Sequence, residues 1–123
     1  QTLAKLQIAQ QPATTQPDVM RAEAKKLTDE GLQLYRQGAA DAESLVAARQ
    51  KWKAALVLWQ KLGDKSRQAF TLLGIGRVYS DLREKQKALQ FYKQALPIWR
   101  AVGERVGEAV TLDNIGGVYS DLG

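Results

Sequence analysis

Acidic side chains are the residues of this sequence that come closest to catalytic groups. Asp29 and Glu30 stand side by side and Asp113 lies far along the chain, but neither paired carboxylates at a convergent spacing nor a partner base accompanies them. The 123 residues contain no histidine and no cysteine, which removes the commonest general base, thiolate nucleophiles and thiolate metal ligands. We therefore predict a protein that is not an enzyme and that uses no metal or cofactor.

A pair of glycines in the segment GIGRVYS is the second motif that could bind a ligand. A phosphate-binding loop would need a third glycine and a lysine, and it would follow a β-strand. Gly74 and Gly76 lack these companions. We therefore interpret both glycines as packing residues within a helix.

Composition and charge limit the class of protein further. The hydrophobic content of 45% is that of one globular domain. No apolar run of 18 residues and no signal-peptide pattern occurs, so we expect a soluble chain of unassigned compartment, with the cytoplasm slightly favoured over export. Residues 64–103 carry eight Lys or Arg against three acids, whereas residues 104–123 carry one Arg against four acids. This asymmetry could attract acidic partners or let copies associate head to tail; otherwise it is an ordinary solvated helix surface.

The elements that carry these residues repeat along the chain. Residues 64–83 return 40 positions later as residues 104–123, and ten of the 20 positions are identical. A period of this size is typical of repeat proteins. The identical residues are Ala69, Thr71, Leu72, Ile75, Gly76, Val78, Tyr79, Ser80, Asp81 and Leu82.

Apolar residues spaced three and four apart predict five helices. The first helix is predicted to begin after Asp18, whose side chain accepts hydrogen bonds from the first turn, and to end at Gly38 in the left-handed conformation. Gly63 and Gly103 are predicted to end the second and fourth helices in the same way, and Pro97 to kink the fourth. The predicted helices span residues 19–37, 44–62, 65–82, 84–102 and 104–122.

The segment before the first helix has a different composition. Residues 1–17 are rich in Gln, Thr and Pro and nearly uncharged, which predicts a flexible tail. In the alternative interpretation Leu3, Leu6 and Ile8 dock on a hydrophobic groove of the same or another copy.

Small and large apolar residues recur on the predicted buried faces. Gly76 and Ala88 are expected to form a small pair where two antiparallel helices cross closely, and Trp52, Trp59 and Trp99 fall on the core stripe. The residues predicted to surround the small pair are Leu72, Ile75, Tyr79, Tyr92 and Ala95. Over residues 24–123 this pattern resembles the tetratricopeptide repeat (TPR) family. The 40-residue period is similar to the longer-helix TPRs of kinesin light chain and of bacterial signalling proteins that carry a caspase-like CHAT domain.

The resemblance implies an all-α fold, a right-handed superhelix of antiparallel helix pairs. The first repeat has five more residues between its small residues, Gly31 and Ala48, than the second has between Gly76 and Ala88. The expected organisation is a tail (1–17) and a TPR domain (18–123) made of repeats over about 19–63 and 64–103 and a half repeat over 104–123.

The resemblance also implies a function. In TPR proteins the first helix of each pair lines a concave surface that binds extended peptides or helices, so the expected function is a non-catalytic scaffold for protein–protein interaction. Arg77 and Lys25 could pair with acidic groups of a ligand, and Asn114 could bond a peptide backbone. The residues expected on the concave surface are Lys25, Thr28, Leu32, Tyr35, Phe70, Leu73, Arg77, Ser80, Val110, Asp113, Asn114 and Gly117.

The apolar fifth helix favours a second mode of action. Further repeats or a second copy would have to cover its apolar residues, which are Val110, Leu112, Ile115, Val118, Tyr119 and Leu122. One alternative is therefore a homodimer formed through residues 104–122. A nucleic-acid-binding helical repeat is the less favoured alternative: the basic middle repeat motivates it, but aromatic residues fall on the core stripe and do not alternate with Lys and Arg.

Overall fold

The computed structural model describes residues 15–38 and 41–123. Within these ranges the chain forms five α-helices and no β-strand, which confirms the all-α class. The helices are α1 (Gln16–Gln37), α2 (Ala42–Leu62), α3 (Lys65–Asp81), α4 (Lys85–Val102) and α5 (Arg105–Leu122). The docking alternative for Leu3, Leu6 and Ile8 falls outside the described residues.

Polar side chains determine where the first two helices begin. Thr15 Oγ1 accepts a hydrogen bond from the backbone N–H of Asp18 at 3.2 Å, so Thr15 caps α1 and the predicted start at residue 19 is three residues late. Asp41 caps α2 by accepting from the N–H of Glu43 at 3.0 Å. This second helix therefore begins two residues earlier than predicted.

Residues with positive φ follow four of the helices, and Gly123 (φ 89°) is the one after α5. Gly63 (φ 70°) and Gly103 (φ 74°) adopt the left-handed conformation after α2 and α4, as predicted. Arg83 (φ 66°) takes the equivalent place after α3. The prediction for Gly38 is wrong, because its φ is −90° and its N–H donates to the carbonyl of Tyr35. That tight turn needs no positive φ.

Each helix packs on the one before it in the sequence. α1 lies against α2, α2 against α3, α3 against α4 and α4 against α5, with a smaller contact between α3 and α5. This is the linear stack of helix pairs that the resemblance implied. None of the helices in the described ranges is both long enough and apolar enough to span a membrane.

Aromatic side chains form the centre of the core. Trp52, Trp59 and Trp99 expose only 4%, 1% and 4% of their surfaces, which confirms their prediction as core residues. Trp52 and Trp99 share one cluster with the fully buried Ile75 and Val78 of α3, whereas Trp59 packs with Ala24 and Ala55 in a second, smaller cluster. The larger cluster joins α2, α3, α4 and α5, so it is continuous between the two helix pairs.

Glycines in α3 make room for these rings. A Cβ atom built on Gly76 would lie 2.5 Å from Cε1 of Tyr92, one of the residues predicted to surround the Gly76–Ala88 pair, so the atoms nearest to this position belong to the Tyr92 ring. A Cβ on Gly74 would lie 2.9 Å from the Trp52 ring. The interpretation of the glycine pair as packing residues is confirmed.

Candidate functional site

An open groove runs along α1, α3 and the start of α5, with Phe70 at its centre. Phe70 is 50% exposed and lines three adjoining cavities of about 380, 360 and 60 Å³. Leu73 and Arg77 line both of the smaller cavities, and Leu32 lines the largest and the smallest. The cavities therefore form one surface, built mainly by the first helix of each pair.

Two tryptophans form the floor of the cavity of about 380 Å³, the largest of these three. Trp59 and Trp99 are almost fully buried, yet both line this cavity. Phe70 forms a wall, and the exposed carboxylate residues Asp29 and Glu104 stand at the rim. An apolar side chain of suitable size could therefore insert between aromatic rings.

The hydroxyl of Thr28 is used inside the protein. It donates to the carbonyl of Ala24 at 2.8 Å and accepts from Nε1 of Trp59 at 3.0 Å. Thr28 thus lines the groove without a free hydroxyl hydrogen, and its main effect is to satisfy the Trp59 indole.

The indole of Trp99 has no such partner. Its Nε1 is buried, and residues 15–38 and 41–123 offer it no hydrogen-bond acceptor. Trp99 lines both of the larger cavities. The ring that borders the groove therefore carries an unpaired donor that is shielded from solvent.

Arg77 gives the groove a positive charge on the side of Tyr35. It is exposed, and it takes part in none of the ion pairs between described residues. Tyr35 donates to Oδ2 of Asp81 at 2.8 Å. Burial, and then this hydrogen bond, raise the pKa of Tyr35 to about 12, and burial raises the pKa of Tyr92 to about 12. Both hydroxyls therefore remain protonated at neutral pH.

Comparison with known families agrees with this architecture. A family model described as tetratricopeptide repeat matches residues 39–101, slightly more than half of the chain. The chain belongs to the tetratricopeptide repeat family. No curated protein matches it. TPR repeats generally mediate protein–protein interactions and are typically non-catalytic. Within the described ranges, no group of three or more side chains is arranged to hold a metal ion.

The TPR groove gathers part of the predicted concave set. The predicted residues that line it are Thr28, Leu32, Tyr35, Phe70, Leu73, Arg77 and Val110. Lys25, Ser80, Asp113 and Asn114 are not among the residues lining these three cavities. Lys25 and Asp113 are exposed, Ser80 Oγ accepts from the ammonium of Lys85 at 3.3 Å, and Nδ2 of Asn114 is buried without an acceptor in the described ranges.

Several groove residues of this TPR chain were not predicted from the sequence. They are Asp29, Trp59, Ser66, Arg67, Trp99, Glu104, Val106 and Gly107. The two tryptophans were assigned to the core alone, since helical spacing cannot show that a buried ring also borders a cavity. Their 40-residue separation is the one signal that could have marked them as equivalent positions.

Proposed function

We propose that this TPR chain is a non-catalytic scaffold that binds an extended peptide or a helix of a partner protein in the groove around Phe70. The exposed Phe70 ring at the junction of three cavities carries the proposal, because a large exposed apolar side chain in a groove is typical of an interaction site. We also propose that residues 18–123 act as the TPR domain, with repeats at about 19–63 and 64–103 and a half repeat at about 104–123.

Charge at the groove gives the partner a direction. Arg77 lines the two smaller cavities, whereas Asp29 lines the Trp59 cavity. Glu104 borders both larger cavities, and Arg67 of the Trp59 cavity is paired with Asp64 at 3.6 Å. A ligand with an apolar side chain at its centre, an acidic group toward Arg77 and a basic group toward Asp29 matches this pattern. Lys25, Ser80, Asp113 and Asn114 would contact only a ligand that extends beyond the cavities.

Selection from a random 12-residue peptide library, followed by calorimetry, tests the proposal. Phe70→Ala should weaken the selected peptides at least about tenfold, since buried aromatic anchors dominate such interfaces. Arg77→Glu should weaken peptides that carry an acidic group. Gln90→Ala is the matched control, because Gln90 is exposed on α4 and lines none of the groove cavities. Failure to select any peptide, or equal affinity for all variants, would contradict the proposal.

The exposed face of α5 favours self-association as a second candidate function. Leu112 and Tyr119 are 44% and 49% exposed, whereas their equivalents one repeat earlier, Leu72 and Tyr79, are 2% and 5% exposed. The earlier pair packs in the core beside α4. A homodimer that covers residues 104–122 would bury the same kind of face.

Sedimentation equilibrium at tens of micromolar tests this second candidate. The parent chain should form dimers, and Leu112→Glu should shift the population to monomers because a carboxylate cannot be buried without a partner. Asp113→Asn changes a neighbouring exposed residue and should leave the dimer intact. A parent chain that sediments as a monomer would rule out this association.

A further inference from the structure

Trp59 and Trp99 occupy equivalent places in successive repeats but differ in their hydrogen bonding. They are 40 residues apart in the sequence, and both side chains are almost fully buried, with 1% and 4% of their surfaces exposed. Nε1 of Trp59 donates to Oγ1 of Thr28 at 3.0 Å. Nε1 of Trp99 is buried and has no acceptor anywhere in the described chain.

A single difference in the sequence accounts for this contrast. Gly31 packs on the Trp52 ring as Gly76 packs on the Tyr92 ring, so these glycines mark equivalent positions in α1 and α3. Three residues before them stand Thr28 and Leu73 respectively. Leucine has no oxygen, so the second repeat lacks the internal acceptor that the first repeat supplies.

The Trp99 ring borders the groove, although its unpaired nitrogen is shielded from solvent. Trp99 lines both larger cavities, and Leu73 shares one of them. Native proteins rarely leave a buried N–H group unpaired, and such a group calls for an explanation. Here an acceptor brought by a ligand would provide it.

We propose that the indole N–H of Trp99 is a ligand-binding donor that takes a backbone carbonyl oxygen of the bound peptide. This inference rests on the proposed peptide-binding function of the groove. A carbonyl fits better than a carboxylate, because Asp29 and Glu104 line the same cavity and would repel an anion. The nitrogen is shielded from solvent, so a neighbouring side chain must move to admit the ligand. We take this side chain to be Leu73, which stands at the position where Thr28 meets Trp59 in the first repeat and lines a cavity together with Trp99.

Two variants separate the donor from the bulk of the ring. Trp99→Phe removes the N–H and keeps an aromatic ring, and it should weaken the library-selected peptides about tenfold. Leu73→Thr supplies Trp99 with the acceptor that Thr28 supplies to Trp59. It should weaken peptide binding and also give the Trp99 N–H the signature of a hydrogen-bonded indole before any peptide is added, a combination that the loss of Leu73 from the groove surface would not produce by itself. Leu73→Thr also keeps the test decisive if Trp99→Phe does not fold.

Nuclear magnetic resonance of the three indole N–H groups gives a direct readout. On titration of the folded chain with N-methylacetamide, a mimic of the peptide group, the Trp99 signal should move downfield and its hydrogen exchange should slow. The signals of Trp52 and Trp59, whose N–H groups already donate to Thr28, should stay in place. In Leu73→Thr the Trp99 signal should be shifted from the start.

The outcomes distinguish this inference from the proposed function. If Phe70→Ala abolishes peptide binding but Trp99→Phe and Leu73→Thr do not change it, the groove binds peptides and the donor role of Trp99 is wrong. A Trp99 signal that exchanges as slowly as that of Trp59 in the free protein, and does not respond to the amide, would show an internally satisfied indole and overturn the inference.

Discussion

The turn between α3 and α4 places Arg83 in a conformation that favours glycine. Its φ of 66° is close to the values of Gly63 and Gly103, which occupy the same position in the turns after α2 and α4. In all three turns the left-handed residue donates to the carbonyl three residues earlier, and the next residue donates to the carbonyl five residues back. A side chain at this position brings its Cβ close to the backbone and costs about 1–2 kcal/mol.

Arg83→Gly should therefore raise the free energy of unfolding by about 1 kcal/mol. Urea denaturation followed by circular dichroism measures this change. Arg83→Ala removes the same charge but keeps the Cβ atom, so it should bring no such gain. Equal stabilisation by both variants would show that the charge, and not the backbone, is responsible.

The buried side chain of Tyr92 makes the free energy of unfolding depend on pH in the alkaline range. Burial raises its pKa from 10.0 to about 12, so the folded state favours the protonated hydroxyl. A group whose pKa is raised on folding contributes its full stabilisation below its unfolded pKa and loses it as the pH rises toward its folded pKa. The loss therefore falls between pH 10 and about 12.

The contribution of Tyr92 to the free energy of unfolding should stay constant from about pH 8 to 10 and then fall as the pH rises further. Tyr92→Phe should show a shallower fall over the same range, because phenylalanine does not ionise. Urea titrations of both proteins at several alkaline pH values provide the comparison, which cancels the common effect of lysine deprotonation. Identical slopes would refute the assignment to Tyr92.

At the scale of the helix, equivalent glycines in two repeats differ in packing: one is in tight contact with a neighbouring ring and the other faces open space. A Cβ on Gly76 would lie 2.5 Å from the Tyr92 ring, whereas a Cβ on Gly116, its equivalent in α5, would meet no atom of the described structure within 4 Å. The same glycine is thus required in α3 and is not required in α5.

Alanine substitutions should reveal this difference as a change of sign. Gly76→Ala should destabilise the chain by about 1–3 kcal/mol through overpacking, whereas Gly116→Ala should stabilise it by about 0.5–1 kcal/mol because alanine favours the helix. Thermal melts of the two variants test both expectations at low protein concentration. A cost for Gly116→Ala that appears only at high concentration would support a dimer across α5, since a partner would then fill the open space.

Across the whole molecule, burial is unevenly shared among the helices. Nine residues of α3 are buried, including Ile75 and Val78, whereas Thr111 and Val118 are the two buried residues of α5. In a linear stack each helix is stabilised by its nearest neighbours. α5 packs mainly on α4 and more weakly on α3.

Hydrogen exchange should therefore distinguish α5 from α3. Its backbone amides should exchange faster than those of α3 in the dilute chain, because local opening exposes little apolar surface there. Mass spectrometry of peptic fragments measures the order. Uniform protection of α3 and α5 in a chain shown to be monomeric would contradict the stacking account.

Much of the local structure follows from the sequence. The 40-residue repeat, the spacing of apolar residues and the turn glycines Gly63 and Gly103 predicted five helices and a TPR-type stack, and the three tryptophans were placed correctly in the core. These features depend on residues close together in the chain, where periodicity shows which face of a helix is buried. The helix starts at Thr15 and Asp41 and the tight turn at Gly38 were missed, because several polar residues nearby could have served as caps.

The sequence predicted part of the groove lining, but the hydrogen bonding at the groove was decided only by the tertiary structure. Whether an indole N–H is satisfied depends on the residue opposite it in another helix, and the donor Trp59 and its acceptor Thr28 are 31 positions apart in the sequence. Thr28 and Leu73 were both predicted to lie on the concave surface, but only packing showed that the Thr28 hydroxyl accepts from Trp59 while the Trp99 indole has no acceptor in the described part of the chain. The sequence determined which faces are buried, whereas only the assembled helices determined which polar atoms on those faces remain without a partner.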